Sequence, residues 1–149
     1  MDQQNDAFEF DAYLCYAPED AKRARELVGT LRQAGLRVWL AEEQVLPGHN
    51  RIERMERGLS RSRRVLVCLS RALPTARLAK QEWYVLLYEQ FQRDEHRVVT
   101  ALLDDIPETE LPLFLRPLAR EDLWQPQGLA RVIAALQPNP IAVPPPLLQ

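Results

Sequence analysis

The cysteines and histidines of this 149-residue sequence, two of each, are scattered along it. Cys15 and Cys68 each lie inside an apolar run, where a free thiol behaves as a small hydrophobe. His49 and His96 stand in polar segments far from either cysteine, so the ligand spacing of a zinc site is missing and no metal is expected. His49 itself reads as a solvated side chain without a partner. The glycines at 29, 35, 48, 58 and 128 form neither G-x-G-x-x-G nor G-x-x-x-x-G-K-[ST]. The backbone cradles that hold the phosphates of dinucleotides and nucleoside triphosphates are therefore absent. There is no G-x-S-x-G elbow for a serine hydrolase either. Arg61, Arg63 and Arg64 could meet nucleotide phosphates, but a charge run beside a strand is more often a solvated face.

Hydrophobic residues make up 46% of the chain, enough for one domain with an ordinary core and too little length for a second of similar size. Charged residues, 27%, divide almost evenly and leave a formal net charge of -2, so a protein that binds nucleic acid through its phosphates is not expected. The opening Met1 to Asp6 has neither the basic nor the apolar region of a signal peptide, and no apolar run approaches the ~20 residues of a membrane helix. A cytoplasmic protein with reduced thiols is expected.

The elements that must position any site alternate in period. Phe10 to Tyr16 is a short apolar and aromatic run stopped by Ala17-Pro18, a buried first strand. Ala21, Ala24, Leu27, Val28 and Leu31 then fall at helical spacing, with Glu19 and Asp20 at the helix start, where its dipole favours acids. Arg37 to Leu40 predicts a second strand, and the polar stretch from Ala41 to Asn50, with Pro47-Gly48, a loop. A helix carrying Ile52, Met55 and Leu59 on one face leads to Arg64–Ser70, an unbroken apolar run that predicts a central strand buried on both faces. A third helix is expected from about Ala76 to Gln92, a fourth strand over Arg97–Leu103, an edge strand over Glu121–Trp124 and a last helix over Leu129–Leu136. Pro107, Pro112 and Pro117 forbid long regular structure between the last two strands. Residues 1–7 read as an extension, 8–137 as the domain and 138–149 as a proline-rich tail.

Alternating strands and helices imply right-handed crossovers, hence an α/β, flavodoxin-like three-layer fold around a mostly parallel five-stranded sheet. In such sheets ligands favour the crevice beyond the carboxyl ends of the strands, which directs attention to the loops after Tyr16, Leu40 and Ser70. A phosphoacceptor receiver would need an aspartate ending the third strand, where this chain has Leu69-Ser70.

Within this architecture the chain resembles the Toll/interleukin-1 receptor (TIR) domain family from Phe10 to about Leu136. Phe10-Asp11-Ala12-Tyr13-Leu14-Cys15-Tyr16 looks like the family's first box, and Val45-Leu46-Pro47-Gly48 like its second, the BB loop. Ser60 to Ser70 resembles the entry to its third strand. Catalytic members carry Trp-Cys-x-x-Glu, with the glutamate twelve residues beyond the Leu-Ser serine, and that count from Ser70 falls on Glu82. Leu78 and Ala79 stand where the family has Trp and often Cys. Ala41 replaces a common acid, and Ala17 fills a position often basic in enzymatic relatives.

The resemblance implies cleavage of NAD, as substrate and with no further cofactor, at the nicotinamide–ribose bond, by hydrolysis or cyclisation. The leaving group is cationic, so the step needs no general acid, only a carboxylate that steadies an oxocarbenium-like ribose, by resemblance Glu82. Without chemistry, Glu82 would be an ordinary first-turn acid complementing a helix dipole. Tyr16 and Trp39 are candidate walls for a flat ring, with Ala17, Leu40, Ser70 and Leu78 around them, whereas Trp83 and Trp124 read as packing residues. The resemblance also implies homotypic partners: the BB loop, centred on Val45, Leu46, Pro47, Gly48 and His49, docks on neighbouring TIR domains. A non-enzymatic adaptor that signals by such assembly is the competing reading.

Overall fold

The computed structural model describes residues 8–72 and 81–138, with the backbone alone for Glu82 and Glu95. Five strands, β1 (Phe10–Cys15), β2 (Val38–Trp39), β3 (Ser62–Leu69), β4 (Val98–Leu102) and β5 (Arg120–Asp122), form one sheet in the order β2-β1-β3-β4-β5. Every pairing is parallel, including that of the edge strand β5. The central strand is β3, as its unbroken apolar run requires: Val65, Leu66 and Val67 are wholly buried. Alternation sends Val65, Val67 and Leu69 to one face and Leu66 and Cys68 to the other.

Each face is covered by helices. The apolar stripe of α1 (Ala21–Gln33), formed by Ala24, Leu27, Val28 and Leu31, packs with Val132 and Leu136 of α5 (Gly128–Leu136) against Leu66 and Cys68. Two further helices, α3 (Arg51–Ser60) and α4 (Glu82–Arg93), cover the other face through Met55, Leu59, Trp83, Leu86 and Leu87. Between them and β2, the short α2 spans Ala41–Gln44.

Three expectations are corrected here. The stretch from Ala41 is not all loop, because Glu42 and Glu43 favour a helix start and Glu43 is clamped by Arg32 at 2.6 Å. Ile52 does not join Met55 and Leu59 in the core but is exposed, since α3 turns Gly58 inward. A Cβ at residue 58 would lie 2.6 Å from the Trp39 indole, so only glycine permits this approach of helix to strand. The described part of the third helix starts at Glu82 and ends at Arg93; positions 76–80 of its expected span lie outside the described residues.

The arginine run is the third correction, because Arg63 is no solvated side chain. Only 12% exposed, it donates to Asp11 Oδ1 at 2.9 Å and to the carbonyls of Leu136 (2.9 Å) and Gln137 (3.3 Å). Arg37 completes the group by donating to both oxygens of Asp11. Asp11 thus joins β1, the approach to β2, β3 and the end of α5 at the amino edge of the sheet. Arg64 donates to the His96 carbonyl at 2.7 Å, and Arg61 alone of the three is an exposed pair, with Glu9.

Burial pushes the Asp11 carboxyl up, but the bonds from Arg37 and Arg63 outweigh this and hold it below the ordinary value of 3.8. A depressed carboxylate stabilises the fold fully above that ordinary value and loses its contribution as the pH falls through the lower, folded one. Asp11→Asn should therefore cost about 3 kcal/mol at neutral pH, as expected when one partner of a buried pair is removed. In urea unfolding it should also flatten the loss of stability below pH 4 relative to the parent.

Candidate active site

A cavity of about 360 Å³ opens at the carboxyl ends of β1 and β2, within the size range of small-molecule sites. Tyr13 lies at its base. Tyr16, Pro18 and Ala21 from the segment after β1 form one side, and Ala41, Glu42 and Val45 of α2 and its exit form another. Arg51 and Met55 of α3 face them, and Gln81 and Trp83 at the start of α4 complete the lining. The lining is largely aromatic and aliphatic with one acid, one guanidinium and one amide, which suits a flat ring bearing polar substituents.

Glu82 is the first residue of α4, and its two neighbours both line the cavity. The Tyr16 phenol, half-buried, is pushed above its ordinary value by burial and then by the nearby Glu42 carboxylate. It stays protonated at neutral pH and can donate or accept a hydrogen bond. Glu42 is itself steadied by Arg25 at 3.0 Å.

The other sequence-derived candidates are distributed differently. Trp39 is buried and does not line the cavity; it lies flat against Tyr13, ring centroids 4.2 Å apart and planes 9° from parallel, and so backs the residue at the cavity base. Leu40 packs on the opposite face of the sheet, and Ala17 is buried between its lining neighbours Tyr16 and Pro18. Leu78 lies outside the described residues. Trp83, read from sequence as packing, does pack in the core and also lines the cavity. Trp124, given the same reading, is instead exposed.

Ser70 is 3% exposed; its hydroxyl donates to the buried carboxylate of Asp20 and accepts from the Ala72 N–H at 3.2 Å. Arg23 bridges Asp20 (3.2 Å) to both oxygens of Asp104 (3.0 Å each), and Asp104 also accepts the Arg71 N–H. Sequence reading missed this group, taking Asp20 as a helix-dipole acid. Ser70 lies 50 positions from Asp20, and Asp104 lies 81 from Arg23, beyond the reach of any local pattern.

The BB-loop residues are brought together. Leu46-Pro47-Gly48-His49 is a tight turn closed by the His49 N–H on the Leu46 carbonyl at 3.0 Å, with Gly48 at φ +93°. His49 is not unpartnered: its Nδ1 accepts the Leu46 N–H at 3.0 Å. Asn50 then caps α3 by accepting the Glu53 N–H at 2.9 Å. Val45 turns into the cavity while Leu46 projects outward, half exposed.

The sheet order, the helix placement and this crevice define a TIR domain. The chain belongs to that family, whose TIR domain model matches residues 13–134. Over 78 residues it is 38% identical to the NAD(+) hydrolase TcpA of Theionarchaea archaeon, a match covering 52% of this chain and 22% of that protein. Over 136 residues it is 27% identical to the probable 2′ cyclic ADP-D-ribose synthase TcpO of Methanobrevibacter olleyae, covering 91% of this chain and 36% of that protein. The chain thus spans about a fifth and about a third of the length of these curated relatives.

Two solved structures have the same fold, each with a TM-score of 0.69. The TIR-STING receptor of C. gigas in complex with 2′,3′-cGAMP is 24% identical, over 87% of this chain and 40% of that one. The TIR domain of the Toll-related receptor TRR-2 of Hydra magnipapillata is 21% identical, over 85% and 98%. No helix among the described residues is long and apolar enough to cross a membrane.

The Gly48 turn is open to a direct check. Gly48→Ala meets no steric obstacle but forces a side chain into left-handed backbone. It should cost about 1 kcal/mol in chemical denaturation, whereas Leu46→Ala, at an exposed site, should cost less than about 0.5 kcal/mol.

Proposed function

We propose that this TIR domain cleaves the bond between nicotinamide and ribose in NAD, as hydrolase, cyclase or both, when the domains self-assemble in immune or cell-death type signalling. The observation that carries the reading is the position of Glu82: it opens α4 between two residues that line the aromatic crevice, in the register of the family's catalytic glutamate. The names of the two curated relatives support it.

The pyridinium ring leaves as neutral nicotinamide, so departure needs no proton, and the barrier lies in forming an electron-poor ribose carbon. A carboxylate from Glu82 beside the ribose would offset that charge, in a site whose low polarity strengthens the interaction. Tyr16 and Trp83 offer faces for the nicotinamide ring, while Trp39 stiffens the site from behind by stacking on Tyr13. Arg51 is the lining cation suited to the pyrophosphate. Water or a hydroxyl of the same nucleotide then attacks the ribose carbon, giving the hydrolysed or the cyclic product.

Concentrated protein incubated with NAD, with and without a crowding agent, should release nicotinamide on chromatography. Glu82→Ala should lower the rate at least ~100-fold, with the fold unchanged by circular dichroism. Equal turnover by that variant would remove Glu82 from the mechanism. The departures at Leu78, Ala79 and Ala41 give a second reading its place, a non-enzymatic module signalling by TIR–TIR contact, and silence of the parent chain under every condition would favour it.

Either reading uses the BB loop as an assembly contact, motivated by the preformed turn that holds Leu46 outward. Pro47→His should reduce the oligomer fraction in light scattering while leaving the unfolding midpoint within a few degrees of the parent. Unchanged scattering would assign assembly to another surface.

A further inference from the structure

Tyr13 is the most buried of the aromatic residues that line the crevice, 2% exposed, and its ring is held flat against Trp39. A phenol buried this deeply ordinarily finds a hydrogen-bond partner, yet the Tyr13 hydroxyl has none among the described residues. Burial holds its proton far above the ordinary value of 10.0, so the group is a neutral hydroxyl at any physiological pH. The lining carries a second polar group that the fold leaves unused: Trp83 Nε1, at the start of α4, is buried without a partner. Buried polar side chains elsewhere are bonded, as Ser62 is to the Gly58 carbonyl at 2.7 Å and Asp11 to Arg37 and Arg63.

The rest of the lining is mostly aliphatic and aromatic, from Leu14, Pro18, Val45 and Met55, with Glu42 and Arg51 as its charged members. A pyrophosphate or a ribose placed against Tyr13 would leave most of its polar atoms unpaired. A flat ring with one polar substituent would instead lie on the apolar wall and bond the single hydroxyl. We infer that Tyr13 is a specificity-determining residue whose hydroxyl bonds the carboxamide of the nicotinamide ring, so that this end of the dinucleotide occupies the base of the crevice. The inference rests on the NAD-cleaving reading of the same site. The phenol can donate to the carboxamide oxygen or accept from its N–H. Because Trp39 already holds the ring in place, little ordering remains to oppose binding.

Tyr13→Phe keeps the ring and its stack on Trp39 and removes only the hydroxyl. That hydroxyl has no partner in the free protein, so the unfolding midpoint of the variant should equal or exceed that of the parent. Binding is read from the NMR shift of the Trp83 indole N–H with two probes, nicotinamide and pyridine, which differ by the carboxamide. The parent should bind nicotinamide at least ~10-fold more tightly than pyridine, the worth of one neutral hydrogen bond. Tyr13→Phe should lose that ~10-fold for nicotinamide while staying within ~2-fold for pyridine. In turnover it should raise KM for NAD ~10-fold with kcat within ~3-fold, because the bond is present both before and during cleavage. A midpoint lowered by several degrees would make the hydroxyl structural and overturn the inference. Unaltered nicotinamide affinity, or an equal loss for both probes, would also overturn it, even in a chain that turns over NAD. A parent that leaves NAD intact, yet prefers nicotinamide and loses that preference in Tyr13→Phe, would overturn the enzymatic reading and retain the subsite.

Discussion

The burial of β3 on both faces is the constraint from which the remaining architecture follows. A parallel strand with no polar side can exist only inside a sheet flanked by partners and covered above and below, which obliges the chain to cross over by helices after nearly every strand. The apolar stripes of α1 and α5 meet Leu66 and Cys68, and those of α3 and α4 meet Val65, Val67 and Leu69. Burial is complete enough to raise both cysteine thiols, Cys68 to about 12, which keeps them protonated and inert as nucleophiles at neutral pH.

Covering the sheet on both faces leaves only its two edges for charged groups, and each edge is organised around one buried aspartate. At the amino edge Asp11 collects Arg37 and Arg63, and Arg63 extends the link to the last turn of α5. At the carboxyl edge Asp20 collects Ser70 and Arg23, and Arg23 extends the link to Asp104. A buried carboxylate must be paired and hydrogen-bonded to be tolerated. Its partners are thereby confined to one geometry, which is how an acid buried at a sheet edge comes to define the paths of several loops.

The crevice occupies the carboxyl side of β1 and β2, where α2, α3 and the start of α4 diverge from the sheet. Its rigidity comes from beneath: Gly58 lets α3 approach the Trp39 indole, and Trp39 in turn stacks on Tyr13. Much of what looked like ligand-facing aromatic surface in the sequence is this support. The aromatic rings that line the cavity are those of Tyr13, at its base, and of Tyr16 and Trp83 at its sides. The turn at Leu46–His49 borders the same crevice through Val45, so a contact made on Leu46 by a neighbouring domain would bear directly on the cavity wall.

The sequence by itself determined the order and kind of the elements, because periodicity and apolar runs are local properties. The run Arg64–Ser70 predicted a central strand, and the spacing of Ala24, Leu27, Val28 and Leu31 predicted an amphipathic helix. The sequence also marked the Pro47-Gly48 turn, a local signal, whereas Glu82 was singled out by resemblance to the family's motif. Only the tertiary structure decided the rest. The rotation of α3 that excludes Ile52 depends on the fit of Gly58 to Trp39. The burial of Arg63, the demotion of Trp39 from wall to support, and the joining of Ser70 to Asp20 depend on residues distant in sequence meeting at an edge of the sheet. A hydrogen bond across 50 positions leaves no trace in composition or period; its partners become identifiable only once parallel pairing has brought the ends of β1 and β3 side by side.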